Sequence, residues 1–322
     1  MWILLSLSGA VFQALGGAFQ KRAIKEHELK LLLGALIHLF AGILVGIVYF
    51  LKTGTVLGEI HNDYRFWNGM FWYTSLNVIA TIFFYKALSI AEFNYLAPFA
   101  TLTSLTIMVP SAIFLGEIPG VRSAVGIAIV VSGAILMNLD SERISRFLGR
   151  RSKSEKETQI ENNVSALQRS NRKGLLYFLG TAACYTFTPT ATKIAIQESS
   201  PLFVTMLVLL LISFSFFILL MANSSRGKLF LSVKDDVRNI SISKLFIWFA
   251  ILAGIVNAIE NTSINQALVQ SQVSYVFAIK RTMPIFAFLI GYYWFKEKSQ
   301  LLRKSVATIL MVLGAVIISI YS

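Results

Sequence analysis

The chain has 322 residues, 56% hydrophobic and 14% charged, with 29 Lys and Arg against 16 Asp and Glu for a formal net charge of +13. Soluble domains run about 45–50% apolar and about 25% charged, so both values point to an integral membrane protein. The apolar content excludes a disordered chain, and the single cysteine, Cys184, excludes a disulfide scaffold.

A membrane-crossing helix takes about 20 mostly apolar residues. In chain order the sequence predicts ten, at residues 2–19, 31–51, 66–90, 93–115, 123–139, 174–192, 202–221, 245–268, 273–295 and 302–321. The alternation of a membrane barrel is absent, so the fold class is all-α integral membrane. The first run precedes its basic residues, Lys21, Arg22 and Lys25. A signal peptide has the reverse order, so this helix is expected to be retained. Nothing in the sequence resembles a long organellar leader, and a bacterial-type cytoplasmic membrane is expected. In helix six, Tyr185, Thr186, Thr188 and Pro189 make the middle polar and predict a break. Residues 141–173 hold most of the charge and are expected to form a cytoplasmic basic linker, partly disordered. It separates a five-helix repeat at 1–140 from a second at 174–322.

With ten spans both termini share one face. Loops on that face carry three Lys or Arg, and loops on the other carry 22. Short cytoplasmic loops are enriched in Lys and Arg, so the linker is expected inside and both termini outside. Lys86, Lys193, Lys280 and Arg281 remain at or near membrane depth, where charge is costly and marks a substrate or ion path. An offset of 180 pairs Asn77 with Asn257, Ala87 with Ala267, Leu88 with Leu268, Tyr95 with Tyr275 and Glu117 with Glu297; an offset of 181 pairs Gly133 with Gly314. Five helices per repeat is odd, so the second copy is inverted. Inverted repeats recur in secondary transporters, with the substrate held near the midplane between them.

Each half carries a helix pair, a Glu at the membrane edge and a Gly-bearing helix: Lys86-Ala87-Leu88 through Leu115-Gly116-Glu117 to Gly133, and Gln266-Ala267-Leu268 through Phe295-Lys296-Glu297 to Gly314. In this the chain resembles the drug/metabolite transporter superfamily, in its ten-helix branch of two EamA-type repeats. The resemblance implies a transporter fold over nearly the whole chain, and termini in the cytoplasm, opposite to the charge count.

Lys280 and Arg281 fall within about 6 Å of the midplane of helix nine at 1.5 Å per residue. Arg offers a planar fork and Lys a point charge, a combination suited to phosphate or carboxylate. Pro284 removes a backbone hydrogen bond to that turn, which predicts a hinge or a carbonyl released for ligand. Glu260 is the only acidic residue well inside a span and is expected at the depth of Lys280. It reads either as a static ion pair or as a switchable counter-charge, with protonation as a third use. Asn257, Asn261 and Asn265 make one stripe on helix eight, for interhelical hydrogen bonds or for ligand. Asn77 is expected to face Asn257. Tyr95 and Tyr275 open helices four and nine, as interfacial anchors or as gates. Lys86 is expected to snorkel or pair with Glu92, and Glu117 and Glu297 to cap or pair locally. Plastid triose-phosphate/phosphate translocators carry a similar Lys-Arg pair on helix nine and a Lys on helix six. That resemblance implies that Lys280, Arg281 and Lys193 bind a phosphorylated anion.

The expected function is a secondary transporter of a small, anionic metabolite, working by alternating access with no cofactor. Its partners are the solute, the bilayer and a coupling proton or exchanged anion, without nucleic acid. The alternative is a carrier of neutral or zwitterionic solutes such as amino acids, or of lipid-linked groups. No Walker loop, zinc spacing or nucleophile elbow is present in the sequence, so no enzyme is expected.

Overall fold

The computed structural model describes residues 1–26, 30–56, 63–90, 103–138, 157–226, 243–293 and 301–322. Their regular structure is helical: α1 (Trp2–Glu26), α2 (Lys30–Thr53), α3 (Tyr64–Ile90), α4 (Met108–Leu115), α5 (Val121–Asn138), α6 (Glu157–Gln197), α7 (Pro201–Arg226), α8 (Lys244–Gln270), α9 (Val273–Lys280), α10 (Met283–Tyr293) and α11 (Leu301–Tyr321). A further helical turn at 103–106 precedes α4, and α9 with α10 makes the ninth span. Five helices hold a window long and apolar enough to cross a bilayer, and Thr103–Leu115, Val121–Leu136 and Ser305–Tyr321 are shorter apolar helices. Side chains on their outer faces, such as Phe71, Ile113, Phe214 and Trp248, are more than half exposed. In a bilayer that surface meets lipid, while the backbone is satisfied within each helix.

Local chemistry sets several helix ends. The Ser243 hydroxyl accepts from Phe246 N–H at 3.1 Å and caps α8. Gly116 takes φ 67° and ends α4 with a left-handed turn that a β-carbon would resist.

Helix packing obeys the inverted repeat. The broad contacts are α1 with α8, α3 with α6, α2 with α7, and α5 with α11. Exchanging each helix for its repeat mate turns the first contact into the second and maps the other two onto themselves. The same relation holds at the atomic scale between α5 and α11. A Cβ added to Gly133 would stand 2.8 Å from the Ala307 carbonyl oxygen, and one added to Gly314 would stand 2.7 Å from the Gly126 carbonyl oxygen. These contacts are symmetry mates. Bilayer helices associate by such close approach because apolar burial gives little between helices in lipid. The result is an all-α integral membrane protein of ten transmembrane helices in two inverted five-helix repeats.

Two expectations change. Residues 157–173 are helical and run directly into helix six, so this half of the linker extends α6. Their Glu, Gln, Ala, Leu and Arg are good helix formers, and no Gly or Pro interrupts them before Lys173. Residues 141–156 lie outside the described residues. Helix six also runs unbroken through Pro189. The hydroxyls of Thr186, Thr188 and Thr192 bond the carbonyls of Ala182, Cys184 and Thr188, at 2.9 Å each. These three hydroxyls bond back to their own helix, which makes its middle polar without opening it.

Candidate substrate-binding site

The ninth span divides where the basic pair sits. α9 ends at Lys280; Arg281 N–H is shared between the Phe277 and Ala278 carbonyls at 3.1 Å, and Thr282 N–H reaches the Ile279 carbonyl at 3.0 Å. These three-residue spacings tighten the chain into a turn. Pro284 falls in the first turn of α10, where its missing N–H removes no helical bond. The span is therefore interrupted at Arg281 and Thr282, just ahead of the proline, and not by a hydrogen bond that Pro284 removes.

Consecutive residues on this turn point about 100° apart, and the two cations meet different environments. Lys280 Nζ is 2.9 Å from Glu260 Oε1 on α8, with side chains 14% and 11% exposed. It also lies 5.4 Å from the Phe277 ring. Arg281 turns toward the middle of the fourth span, ahead of α4: its Nε donates to Ser104 Oγ at 3.2 Å, and a terminal nitrogen donates to Thr103 Oγ1. Tyr185 on α6 stands near Thr81 and within electrostatic reach of Arg281 and Glu260. Glu260 thus neutralises Lys280, while among the described residues only hydroxyls hold Arg281. A guanidinium at membrane depth without a carboxylate keeps its charge uncompensated among the described residues.

The asparagines divide. Asn265 donates to Thr205 Oγ1 at 2.7 Å and also meets the Tyr73 hydroxyl, a buried knot joining α8, α7 and α3. Asn261 bonds the Asn257 carbonyl at 2.9 Å on its own helix. The Asn257 side-chain oxygen is buried without a partner among the described residues. Asn77 donates to the Tyr73 carbonyl at 2.8 Å on its own helix, so it does not pair with Asn257.

Lys193 sits elsewhere. At the face of the bundle that carries the termini, its ammonium pairs with Glu117 and donates to the Ser271 carbonyl at 2.6 Å. Glu117 Oε2 accepts from Val273 N–H at 2.7 Å, and Tyr275 Oη accepts from Gly120 N–H at 3.2 Å while its ring stacks on Trp2 at 6.3 Å. Glu117 is therefore no local cap: it ties the first repeat to both α6 and the α8–α9 turn. Tyr275 is fixed in the same closure. Lys86 lies 4.6 Å over the Tyr177 ring; Tyr95, Glu92 and Glu297 lie outside the described residues. Sequence reasoning missed Thr103, Ser104 and Tyr73. The signal for the first two was a cluster of hydroxyls, Thr101, Thr103, Ser104 and Thr106, in an otherwise apolar run.

Ten spans in two inverted repeats, with charge at the helix-nine break, define a membrane transporter architecture. The chain belongs to the EamA-like transporter family, whose model matches residues 1–139 and 172–320. That places it among membrane transporters of small solutes. No curated protein matches it. A solved structure described only as a crystal structure of protein superposes with a TM-score of 0.72 at 15% identity, covering 100% of this chain and 99% of its own. At that identity the likeness shows the fold alone. Neither match bears on the expected likeness to triose-phosphate translocators, and Lys193 pairs with Glu117 and the Ser271 carbonyl instead of joining Lys280 and Arg281.

Proposed function

We propose that the protein is a secondary transporter that moves a small anionic metabolite, phosphorylated or carboxylate, by alternating access. The observation that carries this reading is Arg281, held by the Thr103 and Ser104 hydroxyls beside a Lys280 that already has its carboxylate. An incoming anion takes the guanidinium fork directly and competes with Glu260 for Lys280. Glu260 is then the counter-charge that keeps the empty site neutral and yields when the site fills. Its release also offers a place for a coupling proton. The contacts of Glu117, Lys193 and Tyr275 hold the terminal face closed, and alternating access requires them to part. By the loop charges, that face is the outer one and residues 141–173 lie in the cytoplasm.

Uptake into proteoliposomes tests this with a panel of phosphate esters and carboxylates. Flux in the wild type and its loss in Lys280→Ala and Arg281→Ala is the expected result; unchanged flux in both variants sinks the site. The unpartnered Asn257 oxygen favours a second reading, a neutral or zwitterionic solute with Glu260 and Lys280 permanently joined. Competition by a neutral amino acid but by no anion would select it.

A further inference from the structure

We infer that the site is reached sideways from the membrane and that its substrate is an amphipathic anion, an apolar body carrying one phosphate or carboxylate. This rests on the anion site at Arg281 and adds the shape and route of what binds there.

A groove of about 720 Å³ runs between α3 and α4 with α6 as its floor. Along α3 it extends from Tyr64 to Leu76, about 18 Å at 1.5 Å per residue. Half of a bilayer's hydrocarbon core is about 15 Å. The groove therefore spans one leaflet, the one beside the terminal face. Its upper end is polar, with Arg65 3.9 Å from Glu198. Its walls are Trp72, Leu76, Phe114 and Phe187. The neighbouring Phe71 and Ile113 are 62% and 70% exposed, which places the opening in the lipid-facing belt. The volume falls within the range of about 300–1,000 Å³ typical of small-molecule sites.

An acyl chain alone does not explain the floor. Thr190 lines the groove and its Oγ1 is buried without a hydrogen-bond partner among the described residues. Leaving a buried hydroxyl unpaired is costly, and turning the Thr190 side chain toward a polar group in the groove would remove that cost. Thr186 lies one turn deeper on the same face of α6. Its hydroxyl is 2.6 Å from Thr106 Oγ1, and Thr106 in turn donates to the Thr103 carbonyl at 3.1 Å. Thr103 holds Arg281. A row of hydroxyls thus leads from the groove floor to the unneutralised guanidinium. The apolar walls fit a tail and the hydroxyl row fits a polar head on its way to Arg281. A wholly polar solute has no use for an entrance of this kind, and an uncharged lipid has no use for the end of the row.

The test is binding of inorganic phosphate and of octyl phosphate to the full chain in lipid nanodiscs, by titration calorimetry. Ile194→Trp and Leu76→Trp fill the groove from two sides, so that one misfolded variant does not decide the matter. The wild type is expected to bind octyl phosphate at least tenfold more tightly than inorganic phosphate. Both filling variants should remove that preference and leave inorganic phosphate unchanged, and Arg281→Gln should weaken both ligands. Octyl phosphate bound no more tightly than phosphate, or bound equally by both filled variants, overturns the lateral route and leaves the anion site standing. Filled variants that lose octyl phosphate while Arg281→Gln retains it make the groove a separate lipid site, and the inferred link fails. Failure of both probes to bind, or phosphate binding indifferent to Arg281→Gln, overturns the anion reading itself.

Discussion

Glu260→Gln is the perturbation on which the two readings of the site differ most. Glu260 and Lys280 are 2.9 Å apart with side chains 11% and 14% exposed. At an effective dielectric near 20 their attraction is about 6 kcal/mol. Desolvating two ions costs several kcal/mol each, so the intact pair adds little net stability, while removing one partner from a buried pair costs about 3–5 kcal/mol. Gln keeps the size and loses the charge, leaving Lys280 beside Arg281 with two buried cations and no carboxylate. We expect Glu260→Gln to lower the unfolding free energy by about 3–5 kcal/mol. Reversible unfolding in mixed micelles, followed by far-UV circular dichroism, measures it. The double variant Glu260→Gln, Lys280→Met should recover most of the loss, because it removes the orphaned charge. An anion should do the same: phosphate should stabilise Glu260→Gln more than the wild type, since its competitor is gone. A cost below about 1 kcal/mol, or costs that simply add in the double variant, would mean that the pair is uncoupled, and the counter-charge role falls with it.

Gly133→Ala and Gly314→Ala should destabilise alike, by about 1–3 kcal/mol each, because their added methyls meet symmetry-related carbonyls. Gly17→Ala, where nothing lies within 4 Å, should be neutral or slightly stabilising; thermal unfolding of the three variants decides it. Glu117→Gln keeps an acceptor for Val273 N–H and Glu117→Ala removes it. Stability should therefore fall in two steps, the second about 1–3 kcal/mol for an unsatisfied buried donor, read by the same micelle titration. Tyr275→Phe keeps the Trp2 stack and loses the acceptor for Gly120 N–H. It should cost about 1 kcal/mol with the Trp2 emission spectrum unchanged, whereas Tyr275→Ala should shift that emission.

The spans were legible because a bilayer asks one thing of every crossing segment, a run of apolar residues, and the sequence supplies it ten times. The Glu260–Lys280 pair was legible for a related reason. Two opposite charges at one depth on adjacent antiparallel helices have few other partners. Depth along a helix can be counted from sequence, but direction around it requires knowing the neighbour. That is why Lys280 and Arg281 were foreseen as a pair and not as two cations with separate partners, and why Asn77 and Asn257 were expected to meet when each turns along its own helix or stays unpaired. Thr103 and Ser104 were missed because a hydroxyl in a membrane helix usually bonds the carbonyl one turn back, as Thr188 and Thr192 do. Only the position of Arg281 distinguishes the ones that do something else. Lys193 was grouped with the basic pair by residue type, and Glu117, from the other repeat, claims it instead.

The repeat itself separates scaffold from chemistry. Glu117 has a mate in Glu297, Tyr275 in Tyr95, and Gly314 in Gly133, and the described members of these pairs close turns or join helices. At the offset of 180, Glu260 corresponds to Ala80, Lys280 to Ala100 and Arg281 to Thr101. The charged centre therefore has no copy in the first repeat. A two-fold scaffold needs matched residues because each interface is made twice, or once across the axis. A substrate of defined charge needs its cations once, on one side. For that physical reason the asymmetric residues, Glu260, Lys280 and Arg281, are the ones we propose for ligand recognition, while Glu117, Tyr275 and the paired glycines hold helices together.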